Sequence, residues 1–289
     1  MAQNTNSSNH QPIAVAVIHG IGKQNPNFAD GLSAKLTARF ADKVANQSAQ
    51  LIIEPIHWAP VMEEREDLLW QRINKTGGLD FLKLRQFMVE FGADALAYQP
   101  LPRERDIYDA VHGVVAQGFN TLAQKAGATA PLCVIAHSLG TVIASNYLYD
   151  LHKGLEFLPD SVRQYHTQTP LEMGETMAFF YTLGSPIALW SLRYDNFGVP
   201  IAVPAPELAQ YYPKVSGEWL NFYDADDVIG YPLCTLNDAY RKTVTRDVPV
   251  NVGSILVSWT PLSHLEYWTA DNVIEPIAES LAKAWKKIN

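Results

Sequence analysis

A serine stands at the point where a buried strand is predicted to turn into a helix. Ser138 lies in the segment Ala136–Gly140 (Ala-His-Ser-Leu-Gly), after an apolar run and before a stretch with helical spacing. A tight strand-to-helix turn needs small residues beside the serine, because the two backbones approach closely, and Ala136 and Gly140 supply them. The alternative is a serine that only caps the helix, since serine is a common N-cap residue. The strand–turn–helix context favours a nucleophile.

A serine hydroxyl is a poor nucleophile at neutral pH, so it needs a base, and the base needs an acid that orients it. His264 is the histidine that lies beyond the last predicted strand, Ser254–Trp259, and we interpret it as the base. Three rival histidines, His112, His152 and His166, lie in helical or loop segments away from strand ends. Two other histidines lie closer to the candidate site: His19 is beside the loop after the first strand, and His137 is within the serine turn. We expect His19 to shape its loop and the His137 side chain to face away from the nucleophile.

Three aspartates follow the preceding predicted strand, Trp219–Tyr223, and each is a candidate for the acid. They are Asp224, Asp226 and Asp227. Acidic runs of this kind are often solvated turns without a function. One acid is sufficient for the chemistry, so we expect that interpretation to hold for two of the three.

Acyl transfer also needs hydrogen-bond donors for the negative oxygen that develops on the substrate. The backbone N–H of Leu139, directly after the serine, is one candidate. The backbone N–H of Ile21 is the other, in the loop His19–Gly22 (His-Gly-Ile-Gly) that follows the first strand. A phosphate-binding loop is a rival interpretation, but neither GxxxxGK[ST] nor GxGxxG is present, so we do not expect nucleotide binding.

Strands and helices alternate along most of the chain. Apolar, partly β-branched runs predict strands at Ile13–Ile18, Gln50–Trp58, Pro131–Ala136, Ala178–Leu183, Trp219–Tyr223 and Ser254–Trp259. Helical spacing predicts helices at 27–44, 63–73, 79–98, 106–125, 139–151 and 270–288. Pro55 within the second strand favours an edge position or an early end for that strand.

This alternation predicts an α/β fold with a mostly parallel central sheet flanked by helices on both faces. Ligands bind at the carboxyl ends of the strands in such sheets, which is where the polar residues above lie. The first 12 residues are predicted to be a flexible tail, and 13–289 a single domain. Residues 60–102 interrupt the alternation, and we interpret them as a helical cap insertion.

Composition excludes several classes of protein. Hydrophobic residues make up 47% of the 289 positions and charged residues 18%, which argues against global disorder. The net charge of −8 disfavours a nucleic-acid partner. The N-terminal segment lacks the pattern of a signal peptide, and no apolar run has the length of a membrane span, so we expect a cytoplasmic protein without stable membrane insertion. Cys133 and Cys234 form no CxxC pair, and two cysteines alone are weak grounds for a disulfide.

Taken in order, these motifs resemble those of the lipase-like and esterase branch of the α/β-hydrolase superfamily. The matching pieces are 17–22, Ala136–Gly140, 182–186, 227–230 and 263–264. They depart from the usual pattern at Ala136, where glycine is common. The resemblance implies the order serine, acid, histidine, and it favours Asp227, because Asp227-Val-Ile-Gly is similar to the lipase turn that carries the acid. It also implies an α/β-hydrolase fold and no cofactor or metal.

The expected function is therefore that of a serine hydrolase that cleaves a small-molecule carboxylic ester or lipid, with Ser138, His264 and Asp227 as the triad. The competing hypotheses are a non-catalytic binding or scaffold protein and a lipid enzyme that docks on membrane surfaces; the negative charge speaks against the latter. Apolar residues that could line an acyl pocket, or simply pack, are Trp58, Trp70, Phe87, Phe91, Trp190, Phe197, Tyr211 and Tyr212. Ser185 is predicted to be structural.

Overall fold

Six parallel strands form a central sheet in the part of the chain that the structure describes. The computed structural model describes residues 10–46, 48–73, 92, 94–100, 105–252, 264 and 266–289. The strands are β1 (Ile13–Ile18), β2 (Leu51–Ile56), β3 (Leu132–His137), β4 (Met177–Leu183), β5 (Glu218–Asp224) and β6 (Arg246–Val250). Their order in the sheet is β2-β1-β3-β4-β5-β6, and every neighbouring pair is parallel.

The central strands are apolar because both of their faces are covered. Every residue of β1, β3 and β4 is buried. β2 lies at one edge of the sheet and accommodates Pro55, whose missing N–H costs no hydrogen bond there. The parallel arrangement brings the carboxyl ends of β1, β3, β4 and β5 to one edge, which is where the candidate site lies.

Helices cover both faces of the sheet. The longer ones are α1 (Asp30–Val44), α2 (Glu63–Ile73), α3 (Asp106–Ala126), α4 (Leu139–Lys153) and α9 (Asp271–Ile288), and the short ones are α5 (Asp160–Arg163), α6 (Ile187–Trp190), α7 (Leu208–Tyr211) and α8 (Asp238–Thr243). The apolar residues of α3 and α4 pack on one face and those of α1 and α9 on the other. The α1 stripe that the sequence predicts, Leu32, Leu36, Phe40 and Val44, is buried.

The far end of the sheet differs from the prediction. β6, with the sequence Arg-Asp-Val-Pro-Val, was not among the predicted strands. The strand predicted at Ser254–Trp259 lies outside the described residues, as do most of the predicted helix 79–98 and much of the proposed cap 60–102. Within that cap, α2 and a helical turn at 94–97 are described.

In the part of the chain that the structure describes, no helix combines the length and the apolar composition needed to cross a lipid bilayer.

Candidate active site

Ser138 occupies a strained turn between β3 and α4. Its backbone has φ 51° and ψ −130°, a conformation that a residue with a Cβ rarely adopts. The backbone N–H of Ser138 donates to the carbonyl oxygen of Leu183 at 2.9 Å, and the Ser138 carbonyl accepts from the Thr141 N–H at 2.9 Å and its hydroxyl at 2.7 Å. These three hydrogen bonds hold the strained turn in place.

Two glycines allow the loop after β1 to lie close to the Ser138 turn: Gly20 is in that loop, and Gly140 is at the start of α4. A Cβ on Gly140 would clash with the carbonyl oxygen of His19 and lie 2.7 Å from that of Ile18. A Cβ on Gly20 would lie 2.6 Å from the Ser138 Cβ. Ala136, two residues before Ser138, is fully buried within β3. The close approach requires glycine at both positions.

A chain of hydrogen bonds joins the three residues that the sequence singles out. His264 Nε2 lies 2.7 Å from the Ser138 Oγ, and His264 Nδ1 lies 2.8 Å from Asp227 Oδ2. Ser138 and His264 are fully buried, and Asp227 is 4% exposed. In the tautomer whose Nδ1–H donates to Asp227, Nε2 is the nitrogen that can accept from the serine hydroxyl.

Asp227 is surrounded by donors. Its Oδ1 accepts from the Ile229 N–H at 2.9 Å, and its Oδ2 accepts from the Tyr267 hydroxyl at 2.9 Å as well as from His264. Burial alone would raise the pKa of Asp227, but the hydrogen bond and charge of His264, with the bonds from Ile229 and Tyr267, lower it below its ordinary value. Asp227 is therefore held as a carboxylate.

The other two aspartates of the run do not contact His264. Asp224 is buried and accepts from the Val252 N–H at 2.7 Å and the Asp226 N–H at 2.9 Å, so its carboxylate holds the turn together. Asp226 is exposed. Hydrogen bonding thus separates three neighbouring carboxylates into one beside the histidine, one within the turn and one in solvent.

Tyr267 is a residue of this site that the sequence did not suggest. Its hydroxyl donates to Asp227 and accepts from the Asp224 N–H at 2.8 Å, so it links the two buried aspartates. It lies three residues after His264 in a short 3-10 helix, Tyr267–Thr269. No spacing rule or motif marks such a tyrosine, because the contact depends on β5 lying beside it in space.

His19 shapes the loop that follows β1. Burial lowers its pKa to about 3, so the ring is neutral. Its Nδ1 lies 2.8 Å from the Gly20 carbonyl, and its Nε2 accepts from the N–H groups of Trp58 and Ala59 at 3.0 and 3.2 Å. One proton, placed on Nδ1, satisfies all three bonds. The ring also stacks on Trp58 at 4.9 Å, which fixes the loop against the end of β2.

The two predicted oxyanion donors lie on the segments that flank Ser138. Leu139 is the first residue of α4, whose N-terminal end carries a partial positive charge. Ile21 lies in the loop held by His19 and, together with Gln24, His137, His264 and Trp268, lines a cavity of ≈ 160 Å³. The next backbone N–H, that of Gly22, donates to the buried carboxylate of Asp94 at 3.1 Å.

The remaining candidates lie away from this cavity. Ser185 bonds to the Thr141 hydroxyl at 2.8 Å and supports the turn after β4. His112 bonds to Tyr98 at 2.8 Å, and His166 bonds to Tyr147 at 3.0 Å. The two cysteines are free thiols.

The predicted pocket residues are dispersed. Trp58 packs on His19, Trp190 and Phe197 line a separate cavity of ≈ 330 Å³ beside α4, and Phe87 and Phe91 lie outside the described residues. Trp70 is half-buried on α2, and the hydroxyls of Tyr211 and Tyr212 bond to Glu175 and to the Thr129 carbonyl.

Among the described ranges, no group of three or more His, Cys, Asp or Glu side chains is arranged to hold a metal ion. No model of a protein family matches the chain, and no curated protein sequence matches it either.

Proposed function

We propose that this protein is a serine hydrolase of the α/β-hydrolase type that cleaves carboxylic esters through Ser138, His264 and Asp227. The observation that carries the proposal is the continuous hydrogen-bond chain from Ser138 Oγ through the His264 ring to Asp227, at 2.7 and 2.8 Å. Those distances lie within the range that proton transfer requires. The strained backbone of Ser138 supports the same interpretation, since a helix cap alone needs no positive φ.

The proposed reaction has two steps. His264 Nε2 takes the proton from Ser138 Oγ as the oxygen attacks the ester carbonyl, and the N–H groups of Leu139 and Ile21 stabilise the oxyanion. The imidazolium then protonates the departing alcohol, which leaves an acyl-serine. A water molecule, deprotonated by the same nitrogen, releases the acid and restores the serine. Asp227 keeps the proton on Nδ1 throughout and stabilises the positive ring.

The substrate class in this proposal is a small-molecule ester or a lipid ester, and the chain needs no cofactor for the reaction. An enzyme of this kind differs from a non-catalytic scaffold in one chemical property, which is the nucleophilicity of a single serine. A scaffold has no reason to hold a base within 2.7 Å of that hydroxyl.

The test is covalent labelling by a fluorophosphonate, followed by peptide mapping. We expect wild type to be labelled on Ser138, and Ser138→Ala and His264→Ala to lose the label. Ser185→Ala is the matched control, because Ser185 is a buried serine at the end of the neighbouring strand. Unlabelled wild-type protein, or labelling that persists in Ser138→Ala, would refute the proposal. A series of p-nitrophenyl esters of increasing acyl length then defines the substrate preference.

A further inference from the structure

The residue directly before the nucleophile contacts the base. His137 is 3% exposed, and its Nε2 lies 2.6 Å from the backbone carbonyl oxygen of His264. The two rings lie 4.8 Å apart, and the indole of Trp268 lies 5.3 Å from the His137 ring. The side chain thus faces the main chain of the proposed base, a contact that the sequence did not suggest; the sequence led us to expect only that it would face away from the nucleophile.

The protonation state of His137 suits this contact. Burial, together with the neighbouring His264, lowers the pKa of His137 to about 3, so the ring is neutral at pH 7 and carries one proton. A carbonyl oxygen only accepts hydrogen bonds, so the proton belongs on Nε2. The result is a single N–H aimed at the main chain of the proposed base.

We propose that His137 is a positioning residue, which fixes the backbone of His264 and so places the imidazole against the Ser138 hydroxyl. This inference rests on the proposed function. Asp227 holds the His264 ring at Nδ1, and His137 holds the main chain of the same residue. Two anchors on opposite parts of one residue restrict where Nε2 can lie.

The position of His137 explains why a turn residue can serve the base. β3 ends at His137, and the next residue is Ser138, so one short segment presents the nucleophile and the anchor for its base. Any movement of the turn carries the nucleophile and the anchor together, which helps to preserve the 2.7 Å distance between Ser138 Oγ and His264 Nε2. Misplacement of a reacting group by about 1 Å costs on the order of 100-fold in rate, so such coupling matters for turnover.

The role depends on the N–H and not on the bulk of the ring, which makes it testable with a pair of side chains of similar length. His137→Gln retains a donor that reaches the position of Nε2, and His137→Met has a similar shape without a donor. With p-nitrophenyl acetate, we expect kcat of His137→Met to fall by roughly 10- to 100-fold at unchanged KM. We expect His137→Gln to recover most of that loss.

A second readout does not depend on turnover. The His264 Nδ1–H that bonds to Asp227 gives a proton NMR signal far downfield, assigned by its loss in His264→Ala. We expect a sharp signal in wild type and His137→Gln and a broadened or lost signal in His137→Met. The NMR signal also tests the positioning role of His137 if the wild type does not react with esters or with fluorophosphonate. That lack of reaction would by itself refute the proposed function.

Two results would overturn the role of His137. One is a His137→Met variant with wild-type kcat and an unchanged downfield signal. The other is an equal loss in the Gln and Met variants at equal melting temperature, which would show that ring shape matters and the donor does not. If His137→Met fails to fold, a His137→Gln variant with low kcat and a broadened signal refutes the proposal equally.

Discussion

Replacement of Asp227 by asparagine should abolish most of the activity without unfolding the protein. The carboxylate accepts from the Ile229 N–H at Oδ1 and from His264 Nδ1 and the Tyr267 hydroxyl at Oδ2. All three partners donate, and an amide offers one accepting oxygen and one donating nitrogen. Asparagine therefore cannot satisfy the site in either of its two orientations.

Each orientation fails for a different reason. With the amide oxygen at the Oδ2 position, the amide N–H₂ faces the Ile229 N–H, and two donors meet in a buried site. With the oxygen at the Oδ1 position, the N–H₂ faces His264 Nδ1, which accepts only after the imidazole changes tautomer. The proton then lies on Nε2, and the ring can no longer take a proton from Ser138.

The second orientation determines how large the expected loss of kcat is. A wrong histidine tautomer in a Ser-His-Asp site lowers kcat by about 10⁴-fold. At about 1.36 kcal/mol per decade, this corresponds to about 5 kcal/mol of lost transition-state stabilisation. The loss should appear in kcat, since Asp227 is buried behind the histidine and has no direct contact with the cavity lined by Ile21, Gln24, His137, His264 and Trp268.

The assay compares three aspartate variants on one ester substrate, with melting temperatures measured in parallel. Asp226→Asn, at an exposed position, should retain wild-type kcat. Asp224→Asn should lose about 1–3 kcal/mol of stability, because its carboxylate accepts from the buried Val252 N–H and the part-buried Asp226 N–H, but should lose less than tenfold in kcat. Our reasoning is wrong if Asp227→Asn keeps kcat within tenfold of wild type, or if folded Asp224→Asn is the more damaged enzyme.

Two further predictions concern the residues around the site. A Cβ at Gly140 would meet backbone carbonyl oxygens, so Gly140→Ala should cost about 3 kcal/mol and lower both the melting temperature and kcat; Gly113→Ala in α3, where a Cβ has room, should be neutral or stabilising. Burial raises the pKa of Glu66 to about 9, so stability should fall as pH rises from about 4.5 toward 9. Glu66→Gln should therefore raise the melting temperature at pH 8 and not at pH 4, unlike exposed Glu64→Gln; equal effects at both pH values would contradict this.

The sequence predicted five of the six observed strands because each consists of a short apolar run that ends in polar or glycine residues. Those five runs have both faces buried or lie beside such strands, so their apolar character is continuous and easily recognised. β6 was not predicted, because it is an edge strand with arginine, aspartate and proline among its five residues. Charged residues and proline are typical of edge strands, which must discourage pairing with other chains.

The candidate site was predictable where local sequence determines geometry. The turn at Ser138 needs small neighbours within two residues, a constraint that is visible in the sequence. The choice of Asp227 among three aspartates was a preference drawn from the family resemblance. The local sequence does not show which carboxylate contacts a histidine that lies 37 residues later. The contacts of Tyr267 and His137 with the site depend on how β3, β5 and the C-terminal segment meet in space.

The burial of the site constrains how any substrate reaches it. Ser138 and His264 are inaccessible to solvent, and the cavity beside them measures ≈ 160 Å³, about the space of a few water molecules or a short acyl group. In the proposed reaction, an ester larger than this cavity would enter only after residues around the site move. Once the site has closed again around the substrate, bulk water would be excluded from the oxyanion, and the hydrogen bonds that stabilise the oxyanion would be stronger. If the proposed function is correct, labelling of Ser138 by a fluorophosphonate should accelerate under conditions that loosen the residues around the cavity without unfolding the protein.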